Sequence, residues 1–244
     1  MQQTWLRQHA EHADLVIFML GWAANPNAVC HISPPGCDIL VCYDYGSIEP
    51  LPPERFTRYR RIYLFAWSFG VWVSERCCRE LPLHRAVALN GTPCPVDPRY
   101  GMRLRVVQRT MRTLIHHGGS NPFSAGNEAE RYIPNGVYPD RSAEEKLEEL
   151  NTLAEWAAGD SSPHLRWDAA YIATQDEIFP PNNMRAWWNP LGLGTEFDSY
   201  HYPFSRPEII FRELQVKESA GAQVESTTER ELADAAPDFQ LPPA

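Results

Sequence analysis

Between residues 15 and 91 the chain alternates short, nearly continuous apolar runs with breaks rich in glycine and proline. Residues 15–20 end at Gly21, 38–43 give way to Asp44-Tyr45-Gly46, 61–66 run into Trp67-Ser68, and 84–89 close on Asn90-Gly91. A fifth run lies within 167–174, and a short strand-like segment covers 195–200. The apolar stretches do not alternate with polar positions as a half-exposed strand would, so they read as parallel strands covered on both faces. Residues 69–79 have helical spacing instead: Val71, Ser74, Cys77 and Cys78 share an inward face, while Trp72 and Arg76 stand four apart. Strand, abrupt turn, helix and strand thus follow within about thirty residues, a β-α-β unit with a right-handed crossover. Residues 21–37 read as mostly irregular.

Residues 97–165 interrupt this rhythm. Two helix-like pieces, 98–117 and 142–158, flank a loop rich in Gly, Asn, Ser and Pro. So long an excursion between strands reads as a cap over a pocket, with decorative packing as the competing use. Residues 217–244 hold six acids, two bases and three prolines with few large apolar groups, the composition of a disordered tail. The expected fold class is therefore α/β: one mostly parallel sheet flanked by helices over residues 1–216, a helical cap inserted at 97–165, and an acidic tail from 217. No internal repeat is visible.

With 244 residues, 43% of them hydrophobic, the chain can build one full core, which excludes wholesale disorder and fibrous repeats. No apolar run reaches the roughly 20 residues of a membrane span; the longest candidate, 13–24, contains Asp14. The first residues lack the basic-then-apolar order of a secretion signal. A formal charge of −9 argues against general nucleic-acid binding. Cysteines at 30, 37, 42, 77, 78 and 94 fit neither a disulfide scaffold nor zinc-site spacing, so a reduced, cytoplasmic chain is the simplest reading. No glycine-rich phosphate loop follows a strand, and neither a metal nor an organic cofactor is expected.

Candidate chemistry centres on Leu64-Phe65-Ala66-Trp67-Ser68-Phe69-Gly70. A serine between a buried strand and a helix, with small residues two places away on each side, fits a nucleophile elbow. Ala66 stands where the usual pattern has glycine and adds one methyl. The competing reading makes Ser68 a helix N-cap and its aromatic neighbours plain core. A serine nucleophile needs a base. His9, His12 and His31 lie near the first strands, His84 starts a strand at the wrong end, His116 and His117 sit in the excursion, and His164 precedes a strand. His201, after the last strand-like segment, is the best-placed base. Asp176, at a strand end, completes the chain order Ser, Asp, His; an Asx turn or a cap for a helix starting near Asn182 is its bland alternative, with Glu177 and Asp97 as rival acids and Asp198 less attractive. Backbone N–H groups of Phe69 and of Trp22, after Gly21, are the candidate oxyanion donors. The rings of Trp22, Trp67 and Phe69 are candidate walls of an acyl pocket, although Trp22 could equally close the core edge.

Four motifs together, the early Phe18-x-x-Gly21-Trp22, Cys42-Tyr43-Asp44-Tyr45, Ala66-Trp67-Ser68-Phe69-Gly70-Val71-Trp72 and His201-Tyr202-Pro203-Phe204, resemble the BioG family over most of residues 4–212. That family comprises pimeloyl-acyl-carrier-protein methyl ester esterases of α/β-hydrolase fold. The resemblance implies Ser68 as nucleophile, His201 as base, Asp176 as the strand-end acid, and Trp22 and Phe69 at the oxyanion positions. It also implies the reaction: removal of the methyl that masks the ω-carboxyl of a carrier-bound pimeloyl chain, releasing methanol and passing pimeloyl thioester to biotin synthesis.

The local charge then gains meaning. Residues 98–117 carry Arg99, Arg103, Arg105, Arg109 and Arg112 and no acid. A basic cap could dock the acidic carrier whose phosphopantetheine arm bears the ester, and in a helix Arg105, Arg109 and Arg112 would share a flank. The alternative is pairing with Glu144, Glu145, Glu148 and Glu149 of the second cap piece, which would add about 0–1 kcal/mol per exposed pair. A monomer, without nucleic-acid or membrane partners, is expected. The rival functions are a general carboxylesterase or thioesterase with the same triad, and a catalytically inactive hydrolase-like binding protein.

Overall fold

The computed structural model describes residues 1–116, 142–159 and 163–215. The chain divides into a unit spanning Met1–Pro207 and a second beginning at Glu208, of which residues 208–215 are helical. The sequence reading drew its boundary at 216; the tail it assigned to 217–244 lies outside the described residues, as does the loop between the cap helices.

The first unit is built on a seven-stranded sheet. Its strands are β1 (Gln2–Arg7), β2 (Asp14–Met19), β3 (Cys37–Tyr43), β4 (Arg61–Trp67), β5 (Arg85–Leu89), β6 (Ala169–Ala173) and β7 (Gly194–Phe197), in the order β1-β3-β2-β4-β5-β6-β7. All neighbours are parallel except β1 with β3. β2 is buried at every position, which is why it is wholly apolar after Asp14. Helix α1 (Phe69–Cys77) crosses from β4 to β5 with Val71, Ser74 and Cys77 buried, and the Arg76 guanidinium stacks 4.1 Å from the Trp72 ring. This is the α/β-hydrolase arrangement, with the carboxyl ends of β2, β4, β5 and β6 gathered at one edge.

Two elements differ from expectation. Edge strand β1 was not foreseen: Gln2 and Gln3 are exposed, and the strand is fixed by antiparallel pairing to β3 rather than by burial. The first cap helix, α2 (Leu104–His116), starts six residues later than its composition suggested. Asp97 Oδ1 accepts the N–H groups of Arg99 and Tyr100, and a Cβ at Gly101 would collide with the Cys94 carbonyl oxygen, so 98–103 turn sharply instead of coiling.

The second cap helix, α3 (Ala143–Gly159), opens with a capping box in which Ser142 Oγ accepts from Glu145 N and Glu145 Oε2 accepts from Ser142 N. α2 packs on α3. The chain returns to β6 across buried Glu75, whose carboxylate accepts from His164 N, Leu165 N and Trp167 Nε1 at 2.5–2.7 Å. Burial pushes the Glu75 carboxyl above its ordinary range despite those donors. Helix α4 (Pro181–Trp188) precedes β7. Among the described residues no helix is long and apolar enough to cross a membrane.

Candidate active site

Ser68 sits where β4 ends and α1 begins, with φ 58° and ψ −125°. A side chain in that region costs about 1–3 kcal/mol, so the surrounding contacts must hold it there. Ser68 N donates to Leu89 O (3.0 Å), and Val71 N donates to Ser68 O (3.1 Å). Glycine is demanded at 70, where a Cβ would run into the Met19 and Leu20 carbonyl oxygens. It is not demanded at 66: Ala66 lies in register between Met19 and Ala88 and is fully buried without distorting the ladder. Although Ser68 occupies the position before a helix, its hydroxyl makes no capping bond.

The hydroxyl meets His201 instead. His201 Nε2 lies 3.0 Å from Ser68 Oγ, and His201 Nδ1 lies 2.7 Å from Asp176 Oδ2. A carboxylate accepts, so the proton sits on Nδ1 and the free lone pair of Nε2 faces the serine hydroxyl. All three residues are at most 5% exposed. The two readings of Asp176 hold together, one oxygen each: Oδ1 accepts Ile178 N (2.9 Å) and Phe179 N (2.7 Å) in an Asx turn, leaving Oδ2 for the imidazole. It does not cap α4, whose N-cap position is Pro180. The rival acids lie elsewhere: Asp97 is spent on its own turn, Glu177 is exposed, and Asp198 accepts from Gln175 Nε2 (2.5 Å).

The backbone of His201 is clamped by two side chains, one of which sequence reasoning missed. The His201 carbonyl accepts Trp67 Nε1–H and Asn90 Nδ2–H, both at 2.9 Å, and the Trp67 ring packs 5.4 Å from the imidazole. Asn90 is fully buried with φ 47°; its Nδ2 also donates to Tyr200 O (3.2 Å), while its Oδ1 accepts Ala173 N (2.8 Å). It therefore ties the end of β5 to the acid-bearing end of β6 and to the histidine loop. The sequence offered only a turn signal, Asn-Gly after a strand.

Gly21 follows β2 beside the serine: a Cβ there would stand 3.1 Å from Ser68 Cβ and 3.4 Å from the Trp67 ring. A narrow cleft opens above, lined by Gly21, Trp22, Trp67, Ser68, Phe69, Ile178 and His201 from the sheet side and by Met102, Val107, Thr110 and Leu150 from the cap. All three aromatic candidates thus border one cavity, together with cap residues the sequence did not single out. Among the described residues the lining is apolar apart from the hydroxyls, the imidazole and the two indoles, and includes no lysine or arginine.

Of the five arginines, Arg105, Arg109 and Arg112 line a shared groove on α2 with Val106, Thr113 and His116. Arg103 is exposed just before the helix, and Arg99 stacks 4.9 Å from the Tyr100 ring in the preceding turn. Among the described residues none of the five makes an ion pair with the α3 acids. Glu149, counted with those acids by composition, points inward and is 1% exposed. Burial disfavours the thiolate of two of the cysteines, pushing Cys37 up to about 11 and Cys77 to about 12.

Residues 1–209 match the family model described as pimeloyl-ACP methyl esterase BioG. An uncharacterized protein of Haemophilus influenzae is 33% identical over 213 residues, covering 84% of this chain and 95% of its own length. The crystal structure of BioG from Haemophilus influenzae superposes with a TM-score of 0.72 at 29% identity, covering 84% of this chain and 96% of that one. A malonyl-[acyl-carrier protein] O-methyltransferase of Bacteroides fragilis is 29% identical over 196 residues, 78% of this chain but only 39% of that protein.

Proposed function

Since the chain belongs to the pimeloyl-ACP methyl esterase BioG family, we propose that Ser68, His201 and Asp176 are the groups through which it works. It is a carboxylic ester hydrolase acting on the methyl ester of pimeloyl-ACP in biotin synthesis. The single observation that carries the residue assignment is the continuous Ser68–His201–Asp176 relay at 3.0 and 2.7 Å. His201 takes the Ser68 proton as Oγ bonds to the ester carbonyl carbon. The Trp22 and Phe69 N–H groups hold the oxyanion. Collapse of the tetrahedral species breaks the bond to methoxide, which leaves as methanol with the proton from His201. Water, deprotonated by the same imidazole, then cleaves the acyl-enzyme to the acid. Asp176 keeps the tautomer fixed throughout.

The apolar cleft fits a methylene chain ending in a neutral ester. Among the described residues no lysine or arginine borders the cleft to receive the ionised product, and burying an unpaired carboxylate is strongly unfavourable, which favours release. The partner we propose is an acidic acyl carrier protein engaged by Arg105, Arg109 and Arg112. Helix α2 presents those arginines on one side and Val107 and Thr110 to the cleft on another. An α-helix is about 10–12 Å across, so a carrier held on the arginine face would keep its thioester away from Ser68 while the distal ester reaches it. The enzyme acts as a monomer in this reading.

Two experiments test it. Labelling by a fluorophosphonate should disappear in Ser68→Ala. Replacing Arg105, Arg109 and Arg112 together by alanine should lower kcat/KM for the carrier-bound ester about tenfold or more, by removing electrostatic steering, and leave a free short methyl ester unaffected. Equal turnover of the carrier-bound ester by the triple variant would refute docking on this face.

A further inference from the structure

We infer that Glu149 of cap helix α3 is a positioning residue for the oxyanion loop, setting the orientation of the Trp22 N–H. The inference rests on the assignment of that N–H as an oxyanion donor. Glu149 is 1% exposed, whereas Glu144, Glu145 and Glu148 on the same helix face solvent. Burying a carboxylate costs several kcal/mol unless its oxygens are satisfied, so a residue serving packing alone would be apolar, like the neighbouring Leu150 and Leu153.

Two of the carboxylate's partners are backbone amides of the sheet's upper loops. Oε1 accepts Tyr45 N at 2.8 Å and Oε2 accepts Ala23 N at 3.3 Å. One turn earlier on α3, the Lys146 carbonyl accepts the Trp22 indole N–H at 2.9 Å. Tyr45 in turn donates its phenol to Leu20 O at 2.6 Å. The segment from Leu20 to Ala23 is therefore held at its start by Tyr45 and at its end by Glu149, with the Trp22 ring pinned between.

Ala23 has φ 59°, a left-handed conformation that disfavours any residue with a Cβ by about 1–2 kcal/mol. The Glu149 bond to Ala23 N opposes relaxation of that residue. If it relaxed, the Trp22–Ala23 peptide would rotate, and the Trp22 N–H, one peptide back, would turn with it. A misaimed donor weakens stabilisation of the tetrahedral species and leaves ground-state binding in the apolar cleft intact. Loss of Glu149 should therefore lower kcat and spare KM.

The test uses Glu149→Gln and Glu149→Ala in the full chain, assayed on a free short methyl ester that needs no carrier. Glutamine keeps the volume and one acceptor oxygen but turns an NH2 toward one of the two amides. We expect kcat to fall about 10–100-fold with KM within about twofold, somewhat less than outright removal of an oxyanion donor. Affinity for an alkyl boronic acid, which forms a tetrahedral adduct on Ser68, should fall in parallel. If Glu149→Ala does not fold, Glu149→Gln decides the matter. Turnover within about twofold of the parent, or lost turnover with boronate affinity retained, overturns the inference. Activity surviving in Ser68→Ala would remove the underlying site reading and this inference with it; an inactive Ser68→Ala beside an unimpaired Glu149→Gln would overturn this inference alone.

Discussion

Asn90→Ala isolates what the clamp on His201 contributes. The substitution removes three hydrogen bonds from a fully buried side chain: one from Ala173 N, and one each to the carbonyls of His201 and Tyr200. The His201 carbonyl keeps its bond from Trp67 Nε1, so its loss is partial. The Ala173 N–H keeps nothing equivalent from residue 90, and a buried orphaned donor costs about 1–3 kcal/mol. Adding about 1 kcal/mol for the net worth of the bonds to the two carbonyls gives a destabilisation of about 2–4 kcal/mol. The same change frees the backbone that carries His201, the base we propose, and a misplacement near 1 Å can cost about 100-fold in rate. Urea unfolding with parallel kcat measurement on a free methyl ester is the assay, run where the variant is fully folded. We expect a lowered urea midpoint and kcat down about 10–100-fold with KM little changed. A variant within about 0.5 kcal/mol and twofold of the parent would refute the clamp.

Other predictions follow from burial. Five of the six thiols are buried and Cys30 alone is exposed, so an aromatic disulfide reagent should titrate one thiol rapidly in the native protein and all six in denaturant. Rapid reaction of several native thiols would contradict the packing. Glu75 has a folded-state pKa above its unfolded value, so the native state binds its proton more tightly. That stabilisation is complete below the ordinary glutamate range and is lost as pH rises through the raised value. The urea midpoint of the parent should therefore fall more steeply across this window than that of Glu75→Gln; identical slopes would show that the group does not titrate there.

What could be read from the chain depended on how local each cause is. Strands β2 to β5 were legible because burial on both faces makes them apolar apart from Asp14, Asp38, Arg61 and Arg85 at or near their starts. Strand β1 was not, since Gln2 and Gln3 face solvent and only the partner strand β3 dictates extension. Ser68 was legible from its immediate neighbours, and Asp176 and His201 from chain order after strand ends. The start of α2 was misjudged because an arginine-rich composition carries helical propensity into 98–103, where the Asp97 side chain and the Gly101 contact enforce a turn. Asn90 and Glu149 stayed hidden for another reason. Their partners lie 111 and 126 residues away, and nothing near either residue distinguishes a turn asparagine or a surface glutamate from a buried clamp.

The most direct test of the account is to incubate carrier-bound pimeloyl methyl ester with the protein and with Ser68→Ala, following the intact carrier by mass. The account predicts loss of one methylene equivalent with methanol released, the thioester unbroken, and no change with Ser68→Ala. Release of free pimeloyl monomethyl ester from the carrier, or undiminished demethylation by Ser68→Ala, would contradict it.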